Sequence, residues 1–396
     1  MKKRIILFTF VFVVISGVLT AQITVSGILD SSVSLQAGVA DTPKFSFGFE
    51  EYANLRFQSR VRDRAVVYGA VNFIAASGDY AANAEQAANL IDPNGDLGIS
   101  PTAFVTGENF ITAIELERLY FRLNGKFLDF DGGLMRLPFG YGQVWGSSDF
   151  LNPKNPLKPD ARPRAVLGAG LSWYPADELK LLAFSVSGRN PFSRNNGVLA
   201  GLSIDRHWDR ASVQALYSFE SPSDSFKNGI HRFGTSVKLD VMVGLVVDAL
   251  YTYNYEAGTK LDGLSLSLGA DYSFFDGNLI VLAEYLYNGE TSSTALGYGG
   301  SFSNNHYLYT GLTWRFNDFT NMSAALISGF DDISFTPVIS LNHDLFQGAT
   351  LTITAQVPMD RDLFYSDGNR GELGPLPPGF NIGRYFNCTV RLRLRF

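Results

Sequence analysis

Seven arginines of this chain stand in runs where apolar residues alternate with polar ones. Arg56 and Arg60 lie in NLRFQSRV (residues 54–61), Arg118 and Arg122 in ELERLYFRLN (residues 115–124), and Arg391, Arg393 and Arg395 in the last nine residues, CTVRLRLRF. In an extended strand successive side chains point to opposite faces. Each run therefore puts its guanidinium groups on one face and its apolar side chains on the other. For Arg118 and Arg122 this requires one bulge near Glu117, to absorb a phase slip between Leu116 and Leu119. Asp240, Asp248, Asp271 and Glu284 occupy the polar phase of four further alternating runs. The chemistry on offer is electrostatic. A basic wall facing an acidic one makes a transverse field that orders water and favours polar over apolar solutes. The competing reading is local ion pairing between neighbouring strands, for example of Glu115 and Glu117 with the arginines beside them.

Other chemistry is poorly served. His207, His231, His306 and His343 are far apart and have no metal-ligand spacing. Asp92, Asn94 and Asp96 hint at a calcium loop, but Leu97 and Ala103 stand where Gly and Glu are needed. The glycines of GYGQVWG (residues 140–146) have the wrong spacing for a dinucleotide site. No Ser/His/Asp set stands out on neighbouring strands. No enzyme activity, cofactor or metal is expected, and an acidic balance of −6 gives no broad basic surface for nucleic acid.

The elements that must position these charges are strands. In KLDGLSLSLGADYSFF, Leu264, Leu266, Leu268, Ala270, Tyr272 and Phe274 share one phase over eleven residues. A strand tilted across a bilayer needs ~9–11 residues. GLVVDALYTYNY, ASVQALYSF, HRFGTSVKLDV and LTITAQV repeat the form. About eighteen such strands can be traced, sixteen being the alternative count. Their connections alternate between tight and long. Tight ones include Arg62-Asp63, Asn124-Gly125, Asp276-Gly277, Asn317-Asp318 and Gly348; long ones fall near 78–108, 138–163, 189–197, 222–230, 289–304 and 358–382. Aromatic residues gather at strand ends, such as Trp173-Tyr174, Trp208 and Trp314-Phe316 at one end and Tyr217-Phe219 and Tyr285-Tyr287 at the other. Segregated loop lengths and two aromatic girdles predict an all-β, antiparallel, up-and-down transmembrane barrel. Its last strand, with no tail, pairs with a first strand at Ile23–Leu35 and removes the sheet edge.

The N-terminus fits export. Lys2, Lys3 and Arg4 precede the apolar run Ile5–Ile15, and Leu19-Thr20-Ala21 ends it. This is a secretory signal cleaved after Ala21, with residues 22–396 as one barrel domain. The one cysteine, Cys388, permits no internal disulfide.

Across the mature chain the architecture resembles a bacterial outer-membrane porin. Its most local element is the connection after the fifth strand, GGLMRLPFGYGQVWGSSDFLNPKNPLKPDARPR (residues 132–164). The resemblance implies that residues 138–163 fold into the channel and set its width, carrying Asp149, Lys154, Lys158, Asp160 and Arg162; the alternative is an external flap. It also implies that the terminal Phe396 is read by the barrel-insertion machinery. Implied partners are outer-membrane lipid and small hydrophilic solutes, with a homo-trimer or a monomer compatible with this size. The expected function is passive diffusion of small hydrophilic solutes and ions. The alternative is a surface adhesin that displays external loops such as 78–108 and 358–382 on a barrel.

Overall fold

The computed structural model describes residues 22–38, 44–61, 64–78, 102–107, 109–152, 154, 165–187, 197–222, 229–254, 263–289, 304–331, 333–357, 359 and 385–396. Residues 1–21, expected from the sequence to be a signal, most of the long connections, and Lys158, Asp160 and Arg162 of the candidate constriction loop lie outside the described residues.

Nineteen strands form one antiparallel sheet: β1 (Gln22–Gly38), β2 (Lys44–Val61), β3 (Ala65–Gly78), β4 (Thr102–Thr106), β5 (Phe110–Asn124), β6 (Leu128–Met135), β7 (Val166–Ala176), β8 (Leu179–Ser187), β9 (Val198–Trp208), β10 (Ala211–Glu220), β11 (Ile230–Asp240), β12 (Gly244–Asn254), β13 (Leu264–Phe274), β14 (Leu279–Asn288), β15 (His306–Asn317), β16 (Thr320–Gly329), β17 (Ser334–Phe346), β18 (Ala349–Gln356) and β19 (Tyr385–Arg395). The sheet closes where β1 pairs with β19, from Ile28↔Arg395 to Gly38↔Tyr385. Eighteen strands make the wall. The nineteenth, β4, pairs only with Ile111–Glu115 of β5. It covers the half of β5 that the short β6 leaves bare, since β6 pairs only with Leu119–Asn124. An open strand edge leaves backbone groups without partners, and β4 supplies partners to that part of β5.

The wall follows the expected period. Leu202, Ile204, Val247, Leu268, Leu312, Ile339 and Leu392 are exposed on the outer face, while Ser203, Ser236, Asp248, Ser267 and Glu284 are buried on the inner one. The bulge expected near Glu117 is present: pairing with β3 passes from Ala70↔Arg118 to Val71↔Leu116 and skips Glu117. β11 ends at Asp240 and β12 begins at Gly244, with a tight turn between them. At the seam the last residue is locked in. Gly27 N–H donates to the Phe396 carbonyl at 2.7 Å, and Phe396 N–H donates to the Gly27 carbonyl at 3.1 Å. The Phe396 ring lies over Gly27, where a Cβ would come within 2.4 Å of it.

Candidate functional site

The chain leaves the wall at Met135 and enters the lumen. Gly133 starts the departure with φ +127, and a Cβ there would stand 2.4 Å from the Leu119 carbonyl oxygen. Residues 136–152 then cross to the strands opposite β2. The loop closes on itself, because Asn152 Oδ1 accepts from Leu137 N at 2.9 Å and Asp149 Oδ1 accepts from Asn152 N at 3.2 Å.

Its grip on the wall is made by the main chain. Gly140 N donates to Gln214 Oε1 at 2.7 Å. Tyr141 N donates to Ser236 Oγ at 3.0 Å and to Asp248 Oδ1 at 3.1 Å, and Gly142 N donates to Asp248 Oδ2 at 2.8 Å. Gln143 N and Val144 N both reach Glu284 Oε2 at 3.0 Å, and Trp145 N reaches Glu284 Oε1 at 2.8 Å. Six consecutive amides, 140–145, are thus taken by four side chains from β10, β11, β12 and β14. Asp248 and Glu284 are fully buried. A buried carboxylate is costly unless it is hydrogen-bonded, and these rows of N–H dipoles supply the compensation. The glycines make the approach possible. Gly140 has φ +78, and a Cβ there would lie 2.2 Å from Ser148 Oγ and 2.6 Å from Asp248 Oδ2.

Two apolar seats hold the flanks. Leu137, Phe139, Phe150 and Leu151 pack with Leu182, Phe184, Val186, Leu199, Leu216 and Leu250, all on the inner face of β8, β9, β10 and β12. Val144 and Trp145 pack with Leu286, Tyr307 and Ile327. Phe150 also lies under the guanidinium of Arg232, 5.2 Å from its ring centre, and Arg232 pairs with Glu220 at 2.9 Å. On the loop itself, burial raises the Asp149 carboxyl to about 8. Burial, followed by its hydrogen bond to Asp205, pushes the Tyr141 hydroxyl above its ordinary range.

The expected acidic wall is therefore divided. Asp248 and Glu284 anchor the loop, and Asp271 accepts from Gln143 Nε2 at 2.7 Å. Asp240 is exposed at the end of β11 and pairs with Lys238 at 3.0 Å. Lys154 reaches back to the Gly142 carbonyl. The expected basic wall lies across the lumen, for β2 is nine wall strands from β12 counted either way round. Arg393 binds Asp30 of β1 through both arms, at 2.8 and 2.7 Å. Arg122 pairs with Asp131 at 2.6 Å, and Arg118 with Glu117 at 3.2 Å while lying over the Tyr68 ring. Arg56 donates to Asn54 at 2.6 Å, and Arg395 is exposed at the end of β19. Arg391 sits between Ser32 and Thr352 in register, and Arg60 opposite Gln22 and Val66. These arginines lie on β2, β5 and β19, and Arg393, Arg122 and Arg118 are paired with neighbouring carboxylates.

Sequence reasoning missed the apolar seats. The available signal was β8, LKLLAFSVS, whose central residues are apolar in both phases. It also missed a Ser212–His207–Asp205 chain, with contacts of 2.9 and 3.2 Å. Asp205 in that chain also accepts from Tyr141 and, at 3.3 Å, from Gln214, so it serves as another anchor of the loop.

A closed eighteen-strand antiparallel barrel with an inward-folded loop defines a barrel of the porin type. No family model matches the chain, and no curated protein sequence matches it. Solved structures do. Acinetobacter baumannii OccAB4 aligns over 95% of this chain and 98% of its own, with a TM-score of 0.57 at 10% identity. Pseudomonas aeruginosa OccK2 (OpdF) gives 0.56 at 9% identity, and OccK8 (OprE) gives 0.55 at 11%, with the same coverage. What is shared at these identities is the fold.

Proposed function

We propose that the protein is an outer-membrane channel for passive diffusion of small hydrophilic solutes and ions. The observation that carries this reading is the loop crossing. Residues 136–152 are fastened to strands between β8 and β16, so the route left for solute runs between the loop and the seam that carries Arg56, Arg60, Arg391, Arg393 and Arg395. An eighteen-strand barrel is too wide for its own side chains to fill. A fixed loop narrows it without closing it. In this reading the tight turns face the periplasm, the chain is exported with loss of residues 1–21, and the terminal strand ending at Phe396 directs insertion. The barrel works alone or as a homo-trimer, and its role is passage rather than catalysis.

Planar-bilayer recording of the purified protein tests this. Stepwise, ohmic conductance that falls when a hydrophilic solute enters is expected. Absence of conductance across salts and voltages would overturn the reading.

A further inference from the structure

The rim that carries the tight turns is divided. Along one arc, four successive hairpins display large apolar side chains: Met242 after β11 at 87% exposure, Phe275 after β13 at 72%, Phe319 after β15 at 63%, and Phe346 at the end of β17 at 67%. Along the β7–β10 arc the turns carry charge instead. Asp177 and Glu178 follow Trp173, and Asp209 and Arg210 follow Trp208, all of them exposed. Arg206 also stands outward there, its guanidinium over the Trp208 ring.

Two bulges turn apolar groups of the first arc outward. In β15, pairing with β16 passes from Arg315↔Asn321 to Asn317↔Thr320, and in β17, pairing with β18 passes from Asp344↔Thr350 to Phe346↔Ala349. A bulge re-aims the side chains beyond it. Strict alternation would send Phe346 into the lumen with Asp344; instead it is paired with Ala349, in the outward phase of Leu351 and Ile353. Phe316, the extra residue of the β15 bulge, stacks on outward Trp314 with ring centres 5.5 Å apart. Phe275 has φ +53, a region that a bulky residue seldom occupies, and Asp276 follows at +55. Strain of this kind points to a use outside the fold.

We propose that the turns of the β11–β18 arc are immersed in the adjoining phospholipid leaflet while those of the β7–β10 arc stand in water, so that the barrel sits obliquely in the membrane. A cluster of large apolar groups held out from a surface marks a contact with an apolar partner. Lipid is the partner that meets the geometry, because these groups continue the apolar outer surface of Phe274, Trp314 and Leu341. Interface depth also suits the carboxylates interleaved with them. Asp276 and Asp318 can keep to the headgroup water while the rings beside them enter the acyl region. On the other arc, Trp173 and Trp208 stand where tryptophan settles at an interface, and the charges beyond them mark its wet side. Anchors at different heights on two sides of a rim set a tilt. The proposal rests on the membrane-embedded reading of the barrel, and it adds which part of the rim the leaflet covers.

The test uses the full-length barrel with Cys388→Ser, in vesicles of phosphatidylethanolamine and phosphatidylglycerol. Met242→Cys, Phe275→Cys and Phe319→Cys sample one arc, and Glu178→Cys and Asp209→Cys the other. Leu268→Cys, on the outer face of β13, serves as the lipid reference. Each cysteine carries a nitroxide, and its collisions with oxygen, which concentrates in lipid, are compared with those with a nickel chelate present on both sides of the membrane. Labels at 242, 275 and 319 are expected to favour oxygen, as the label at 268 does, and labels at 178 and 209 to favour nickel. Nickel preference on both arcs would place the apolar turns in water, open to a soluble partner, and would overturn the proposal. Shielding of the first arc from both reagents would overturn it too, by placing a second barrel there. Nickel preference at 268 would sink the membrane-embedded reading as well, so the two failures are distinguishable.

Discussion

Glu284 takes three amides of the loop, and its loss leaves two buried donors, Val144 N and Trp145 N, and the part-buried Gln143 N without that partner. Each unsatisfied buried donor costs about 1–3 kcal/mol. Glu284→Ala should therefore release residues 143–145, seen as larger and noisier single-channel current. Glu284→Gln keeps one acceptor oxygen and should lie between the variant and the parent. An Ala variant with unchanged current would show that the apolar seats suffice. Asp149 makes the loop sensitive to pH. Its carboxyl stays protonated to about 8 when the loop is docked. Once exposed, it would ionise near the ordinary ~3.9. Between those values the docked form holds the extra proton, so docking weakens as pH rises from about 4 to 8 and levels off above. Loop-dependent current noise should rise across that window, and Asp149→Asn should remove the dependence.

At the scale of elements, β8 is the informative strand. Its inward residues Leu182, Phe184 and Val186 form a dry seat for Phe139 and Phe150. Phe184→Ala should cost about 3–5 kcal/mol locally. The expected result is faster hydrogen exchange in residues 137–151 with little change in the strands themselves; uniform acceleration would mean that the barrel and the loop open together. The sequence makes most of the wall legible, because lipid on one side and water on the other impose a strict alternation, as in β13. It even places the bulge at Glu117, where the phase slips by one residue. β4 is not legible. Five residues, TAFVT, carry too little pattern, and their pairing is decided by where β6 stops. The seat on β8 leaves a trace, apolar residues in both phases, but an apolar inner face makes sense only once an apolar loop is known to cover it.

For the whole molecule, the decisive arrangement is a loop fastened to one side and arginines around the seam on the other. Arg391→Ala with Arg393→Ala should shift the reversal potential toward cation preference, more so at low salt where screening is weaker. Removing Arg393 also uncovers Asp30, its bidentate partner, which adds to the shift. An unchanged potential at low salt would mean that these residues serve the seam rather than the permeant ion. The grip on the loop has a broader consequence. Seven hydrogen bonds to the wall come from six main-chain amides, which every residue except proline possesses. Exchanging the half-exposed Gln143 loses its side-chain bond to Asp271 but keeps the amide bond at its position. The lining of the passage can thus be retuned while its scaffold stays still, a separation that suits both natural drift in selectivity and deliberate redesign of the pore.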